Sequence, residues 1–142
     1  MSGGNMSLQI ITPERVVLKD VATDAVVIPA AEGSMGILHN HAPMVANLKV
    51  GILRYRQGED FKRVALGGGF LELSANRITV LADSAEVAET VDVMRAKEAR
   101  KRAETRLRER TANVDRIRAE AALQRAITRL KAAGVLEDGK ES

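Results

Sequence analysis

Glu86-Val-Ala-Glu-Thr-Val-Asp-Val-Met-Arg-Ala96 divides the chain into two kinds of structure. Before it, short runs rich in Val, Ile and Leu are broken by Gly, Pro, Asn and Asp as far as Leu81, which is the chemistry of strands and turns. After it, no glycine intervenes between Gly69 and Gly134 and no proline follows Pro43, so nothing interrupts an Ala, Arg and Glu-rich helical segment. Asp92 is placed to start that helix, because its carboxylate can accept the orphan N–H groups of Met94 or Arg95 at the positive end of the helix dipole.

Upstream of this hinge, Leu8–Thr12 and Arg15–Lys19 flank a Pro13-Glu14 turn and read as a hairpin. Val26, Val27 and Ile28 are consecutive, which predicts a strand buried on both faces. A glycine-punctuated loop is expected from Glu32 to Pro43. Further strands are expected at 44–48, 51–56, 61–66, 69–73 and 77–82, with turns at Gln57-Gly58 and Ala75-Asn76. Strands this short and this regularly spaced predict an antiparallel β sandwich or flattened barrel.

Downstream, Ala96, Ala99, Ala103 and Leu107 recur at helical spacing, and Val114, Ile117, Ala121, Leu123, Ile127 and Leu130 form a second seam. Thr111-Ala-Asn113 breaks the pattern, with Asn113 as the expected cap of the second helix, so the C-terminal part is predicted to be an antiparallel two-helix hairpin. Alanine buries little, so Met94 and Leu107 are expected to hold the first helix to its partner. The predicted organisation is a sandwich domain over 6–86, a hairpin over 87–134, and disordered tails at 1–5 and 135–142. A helix pair so thinly attached suits a conformational switch, whose two states must lie within a few kcal/mol.

Composition narrows the chemistry. With 142 residues the chain suits a small sheet domain and a helical appendage. Aromatics are 2% of it, all upstream of the hinge, so the core is aliphatic. There is no cysteine, which removes disulfides, thiolate metal sites and a Cys nucleophile. No apolar run approaches the ~20 residues of a membrane span. His39 and His41 lack a third ligand for a metal. Gly67-Gly-Gly69 is not followed by Lys-Ser/Thr, so it is no phosphate loop, and no Ser/His pair sets up a nucleophile. The chain is expected to be no enzyme by itself.

Four features together resemble one family. The short-strand sandwich, the loop Gly33-Ser-Met-Gly-Ile-Leu-His-Asn-His-Ala-Pro43, the run Gly67-Gly-Gly-Phe-Leu71 and the Ala/Arg-rich hairpin are similar to the epsilon subunit of bacterial F-type ATP synthase, over Leu8 to Ala133. The family pattern in the loop is close to Gly-x-x-Gly-x-Leu-Pro-Gly-His-x-Pro. This chain departs from it at His39, where proline is usual, and at Asn40, where glycine is usual. Asn tolerates a left-handed backbone, so the turn is expected to survive.

The resemblance implies a rotor and regulatory subunit of the proton-translocating ATP synthase. Its sandwich would clamp the gamma subunit and rest on the c-ring through Gly33, Gly36, Leu38, His41 and Pro43. Its hairpin would extend into the alpha/beta hexamer to stop ATP hydrolysis. The subunit would sit at the cytoplasmic face of the bacterial membrane as a peripheral component, with no nucleic acid among its partners. Some members bind ATP in the folded hairpin through Ile/Leu-Asp-x-x-Arg-Ala, an upstream Glu and arginines on both helices. Here the pattern reads Val91, Asp92, Arg95 and Ala96, with Glu86 upstream, Arg102 on the first helix, and Arg125 and Arg129 on the second. Only Val91 departs, by one methylene. ATP is therefore expected as a regulatory ligand, and no metal ligands are expected in the chain.

Spacing alone adds one point. Arg125 and Arg129 stand four residues apart on one helical face, where like charges repel by ~0.2–0.5 kcal/mol unless an anion lies between them. The plainer reading of these arginines is a solvated basic face. A rival reading of the whole chain, from its pI of about 9.5, is a basic hairpin protein that binds nucleic acid or an anionic membrane. Glu98, Glu104, Glu109 and Glu120 interleave with the arginines, and aromatics for base stacking are missing, which weighs against it.

Overall fold

The computed structural model describes residues 5–109 and 113–136. Strand β1 (Met6–Ile11) and β2 (Val16–Thr23) form the expected hairpin, followed by β3 (Ala25–Ala30), β4 (Gly33–Leu38), β5 (Met44–Gln57), β6 (Asp60–Ser74), β7 (Arg77–Ala82) and β8 (Ala85–Val87). A single 3₁₀ turn, Ala88–Thr90, then leads to helices α1 (Val93–Arg108) and α2 (Asn113–Ala132). The result is a β sandwich followed by a two-helix hairpin.

The sheet runs in the order β2-β1-β7-β6-β5-β3-β4, with β8 added beside β6. All pairings are antiparallel except β1 with β7, which run parallel. β2 and β4 end the order unpaired with each other, so the sheet folds over into two layers without closing as a barrel. Two long strands make this possible. One half of β6, Val64–Leu66, pairs with β8, and the other, Gly69–Ser74, pairs with β7, so β5 and β6 pass through both layers. Their ladder keeps one register from Met44↔Leu73 to Gln57↔Asp60 and is interrupted only between Leu48↔Gly69 and Val50↔Gly67, where Lys49 and Gly68 stand opposite each other at the bend.

These long strands replace the four short ones expected from the glycine breaks, and the expected loop 32–43 begins as strand β4. Residues that alternate along β1 show why the layers pack. Leu8 and Ile10 are fully buried while Ser7 and Gln9 are only partly so. They meet Val26, Ile28, Ile37, Leu53, Leu71, Leu73, Ile78 and Val80 in one aliphatic core.

Tyr55 closes the core near the hairpin end. Burial, and secondarily the negative charge of Glu89, raises its phenol above the ordinary value of 10.0. The folded state thus holds the phenolic proton more tightly than the unfolded chain, so stability is unaffected below pH 10 and is lost as pH rises beyond it. Denaturant titration across that range should show the loss in the natural chain and a flatter profile in Tyr55→Phe. Equal alkaline profiles would mean that the ring is open to solvent.

Asp92 caps α1 as expected. The Arg95 N–H donates to its Oδ1 at 3.1 Å. α2 begins at Asn113, whose side chain lies outside the described residues, as do Thr111 and Ala112. The hairpin seam differs from the expected one. Met94 is 67% exposed and Ile117 64%, while Ala96, Ala103, Ala119, Ala126 and Leu130 are buried. Close approach of the two backbones through alanine leaves the longer side chains outside the contact. On its other side α2 packs on the sandwich, where Ala132 joins Ile52 and Ala65 in a small second cluster with Ala88 against it. The Val135 N–H donates to the Leu130 carbonyl at 2.9 Å and closes the helix. Of the tails expected at 1–5 and 135–142, residues 1–4 and 137–142 lie outside the described residues.

Candidate functional site

A cleft of about 390 Å³ opens where α2 crosses the junction of β6 and β8. Its sandwich wall is Ala65-Leu66-Gly67 of β6 with Ser84-Ala85-Glu86, and its hairpin wall is Ala99 of α1 with Ala122, Arg125, Ala126, Thr128 and Arg129 of α2. Arg15, from the β1–β2 turn, completes the lining. The strand chemistry explains the floor. A Cβ on Gly67 would stand 2.1 Å from the Ser84 Oγ, so a residue without a side chain lets Ser84 lie against the strand, and the Arg125 Cδ passes over the same glycine, 3.6 Å from where a Cβ would stand. The Gly67 N–H donates to the Ser84 carbonyl at 2.8 Å and holds the two wall segments together.

The strongest contact across the cleft is ionic. Arg129 Nε donates to Glu86 Oε1 at 2.6 Å and its Nη2 donates to Oε2 at 3.4 Å, a forked pair between α2 and β8. Both side chains are less than a third exposed, at 29% and 25%. Glu86 thereby answers one of the two like charges on the face of α2. Arg125 is exposed and has no ion-pair partner among the described residues. A half-buried, paired Arg129 is not part of a solvated basic face, and that plainer reading does not describe it.

The residues expected to act together fall into two groups. Glu86, Arg125 and Arg129 share the cleft. Val91, Asp92, Arg95, Ala96 and Arg102 do not line it: Asp92 is engaged as the α1 cap, Ala96 is buried in the helix seam, and Arg95 and Arg102 are exposed. Arg95 and Arg102 nevertheless stand one turn either side of Ala99, the α1 residue that does line the cleft. No sequence pattern singles out Arg15, Ser84 or Thr128. Arg15 sits in a turn whose place depends on β1 running beside β7, and nothing local announces that pairing.

The second expected site is the loop after β4. Gly33 and Gly36 lie in β4, while Leu38, His41 and Pro43 are all exposed. Asn40 is left-handed at φ 64°, the conformation expected for the residue standing where glycine is usual. Its N–H donates to the Asn76 Oδ1 at 2.7 Å, which pins the loop to the β6–β7 turn. The His41 N–H donates to the Leu38 carbonyl at 3.3 Å, and His41 Nδ1 lies 2.8 Å from the Ala42 carbonyl. Beyond this loop, the outer face of one layer carries a row of exposed apolar side chains. Val16 and Leu81 each pair with Ile11, and Leu81 pairs with Phe70, across four neighbouring strands. Val16 and Leu81 are 50% exposed and Phe70 40%.

No group of three or more metal-ligating side chains occurs among the described residues. Among the same residues, no helix is long and apolar enough to cross a membrane.

Comparison with known proteins covers both parts of the chain. The family model described as the beta-sandwich domain of the ATP synthase delta/epsilon chain matches residues 5–88, and that described as its long alpha-helix domain matches 89–134. The chain is 66% identical over 137 residues to an ATP synthase epsilon chain of Symbiobacterium thermophilum, covering 96% of this chain and 99% of that one. It is 54% identical over 129 residues to that of Carboxydothermus hydrogenoformans, covering 91% and 96%. Among solved structures, a chain of the Euglena gracilis mitochondrial ATP synthase assembly of OSCP, F1 and c-ring superposes with a TM-score of 0.78 at 25% identity, covering 92% of this chain and 81% of that one. A chain of the Tetrahymena thermophila central stalk and c-ring shares the fold at a TM-score of 0.63 and 15% identity, covering 94% and 99%.

Proposed function

The chain belongs to the ATP synthase delta/epsilon family, and from that premise we propose that it is a rotor and regulatory subunit whose docked hairpin binds ATP. It is an epsilon-type subunit of the central stalk. In this reading the sandwich, 6–86, clamps the gamma subunit, and the hairpin, 87–134, is the switch. The row of exposed Val16, Leu81 and Phe70, bridged by the half-buried Ile11, supports the first part, since an apolar stripe across four strands is the kind of surface a partner covers. The pinned loop with exposed Leu38, His41 and Pro43 supports contact with the c-ring, together with Gly33 and Gly36 on the adjoining strand. The subunit works at the cytoplasmic face of the membrane, attached through the complex, and performs no catalysis itself.

The observation that carries the regulatory half is the cleft between sandwich and hairpin, where Arg125 lies unpaired over Gly67 beside the Glu86–Arg129 pair. A polyphosphate answers the free cation, and a ligand held between two bodies favours the state in which they touch. Arg95 and Arg102, flanking Ala99, extend the basic lining along α1, while Asp92 fixes the start of that helix and Val91 and Ala96 pack around it. High ATP then keeps the hairpin down. Low ATP frees it to reach the alpha/beta hexamer and stop hydrolysis.

The test is thermal melting of the natural chain and Arg125→Ala, each with and without millimolar ATP. ATP should raise the midpoint of the natural chain. Arg125→Ala should lose roughly 1.5–3 kcal/mol of ATP binding, the worth of a hydrogen bond to a charged group, and little stability without ligand. Identical responses of the two proteins would return Arg125 to an idle surface charge.

A further inference from the structure

We propose that Arg15 is the sandwich's own phosphate contact in this cleft, so that a bound polyanion ties the two parts of the molecule together; the inference rests on the nucleotide reading of the cleft. Position comes from the topology. β1 runs parallel to β7 and ends with Ile11 beside Leu81, and two residues past β7 the chain reaches Ser84 on the cleft wall. The turn that follows β1 is therefore delivered to the cleft mouth.

That turn is a fixture. The Thr12 N–H donates to the Arg15 carbonyl at 2.9 Å, the Thr12 hydroxyl donates to the same carbonyl at 3.2 Å, and the Arg15 N–H donates back to the Thr12 Oγ1 at 3.2 Å. Thr12 itself is buried. The Arg15 backbone is thus held, while its side chain lines the cleft with no ion-pair partner among the described residues.

The charge pattern decides what Arg15 does. Three arginines line the cleft against one carboxylate, Glu86, which is already committed to Arg129. Arg125 and Arg15 remain, one from each part of the molecule. Of the sandwich's polar side chains in the lining, Glu86 repels a phosphate and Ser84 is neutral, so Arg15 is the cation on that wall. A ligand shifts an equilibrium only by its differential affinity for the two states. An anion held by Arg125 and Arg129 alone would stay with the free hairpin. Contact with Arg15 exists only when the hairpin is docked, and it makes ATP a docking ligand.

The full chain should be titrated calorimetrically with ATP and with sodium triphosphate, alongside Arg15→Ala, Arg15→Gln, Arg125→Ala and the remote control Lys49→Ala. Hydrogen exchange of the α2 amides is followed at saturating ATP. Arg15→Ala and Arg15→Gln should both weaken ATP and triphosphate about 10-fold, and Lys49→Ala less than about 2-fold. Saturating ATP should protect α2 in the natural chain and much less in either Arg15 variant. Binding lost in Arg125→Ala but unchanged in both Arg15 variants would overturn the role of Arg15 and leave the nucleotide site standing. Failure of the natural chain to bind either polyanion would overturn both.

Discussion

Arg129→Ala should loosen the hairpin from the sandwich without ligand and abolish the ATP response with it. Its guanidinium is the forked partner of Glu86 at 2.6 Å, and both groups are less than a third exposed. Removal strands a half-buried carboxylate without its partner, which costs about 2–3 kcal/mol of docking. Arg125→Ala strands no such partner and should leave docking nearly unchanged. Hydrogen exchange of α2 amides separates the two, because Arg129→Ala should exchange roughly ten- to a hundredfold faster before any ATP is added. A cycle with Glu86→Gln isolates the pair, since the double variant should recover part of the loss. Unchanged exchange in Arg129→Ala would show that the alanine contacts alone hold the hairpin.

A larger effect is expected inside the sandwich. Gly69 has φ +145°, and a Cβ there would stand 2.4 Å from the Leu81 carbonyl oxygen and 2.8 Å from the Ala82 Cα. Both obstacles are backbone of the neighbouring strand β7, so no rotamer change relieves them. Gly69→Ala should lose roughly 3–5 kcal/mol, from the strained backbone together with the collision. That is a large share of the stability of a domain this size. Gly36→Ala is the matched control, because the site has nothing within 4 Å of an added Cβ and an ordinary φ. Urea midpoints of the two variants should therefore diverge sharply. Comparable midpoints would mean that β6 and β7 can separate at Gly69 without loss.

How far the sequence can be read follows from how local each signal is. The β1–β2 hairpin, the doubly buried run Val26–Ile28 and the start of α1 at Asp92 rest on neighbouring residues, and the fold has all three. β4 is hidden because Ile37 is its only buried residue, so Gly33-Ser-Met-Gly carries no alternation to read. The glycines at 51 and 67–69 look like strand ends because a bend and an end have the same local chemistry. Only the pairing partners distinguish them. In the hairpin, helical period locates two helices but not which stripe is buried. Small residues define the contact there, and Met94 and Ile117 point away from it.

The site divides in the same way. Glu86 and Arg129 lie 43 residues apart, and along the sequence only the motif resemblance links them. Arg15 belongs to no such motif. Its place in the lining depends on the parallel pairing of β1 with β7, a long-range fact that a turn sequence does not encode.

The alanine contact of the hairpin has a thermodynamic consequence. Undocking a leucine-rich helix would expose much apolar surface and carry a large heat-capacity change, so its equilibrium would curve steeply with temperature. Here the apolar cluster between α2 and the sandwich is small, with Ala132 meeting Ile52 and Ala65, and an ion pair joins the two beside it. The heat-capacity increment should be small and the electrostatic share large. Warming or cooling the cell then moves the docking balance little, whereas ionic strength, which screens Arg129 from Glu86, moves it more. A hairpin built on alanine is thus a sensor of the charges around it, buffered against changes in temperature.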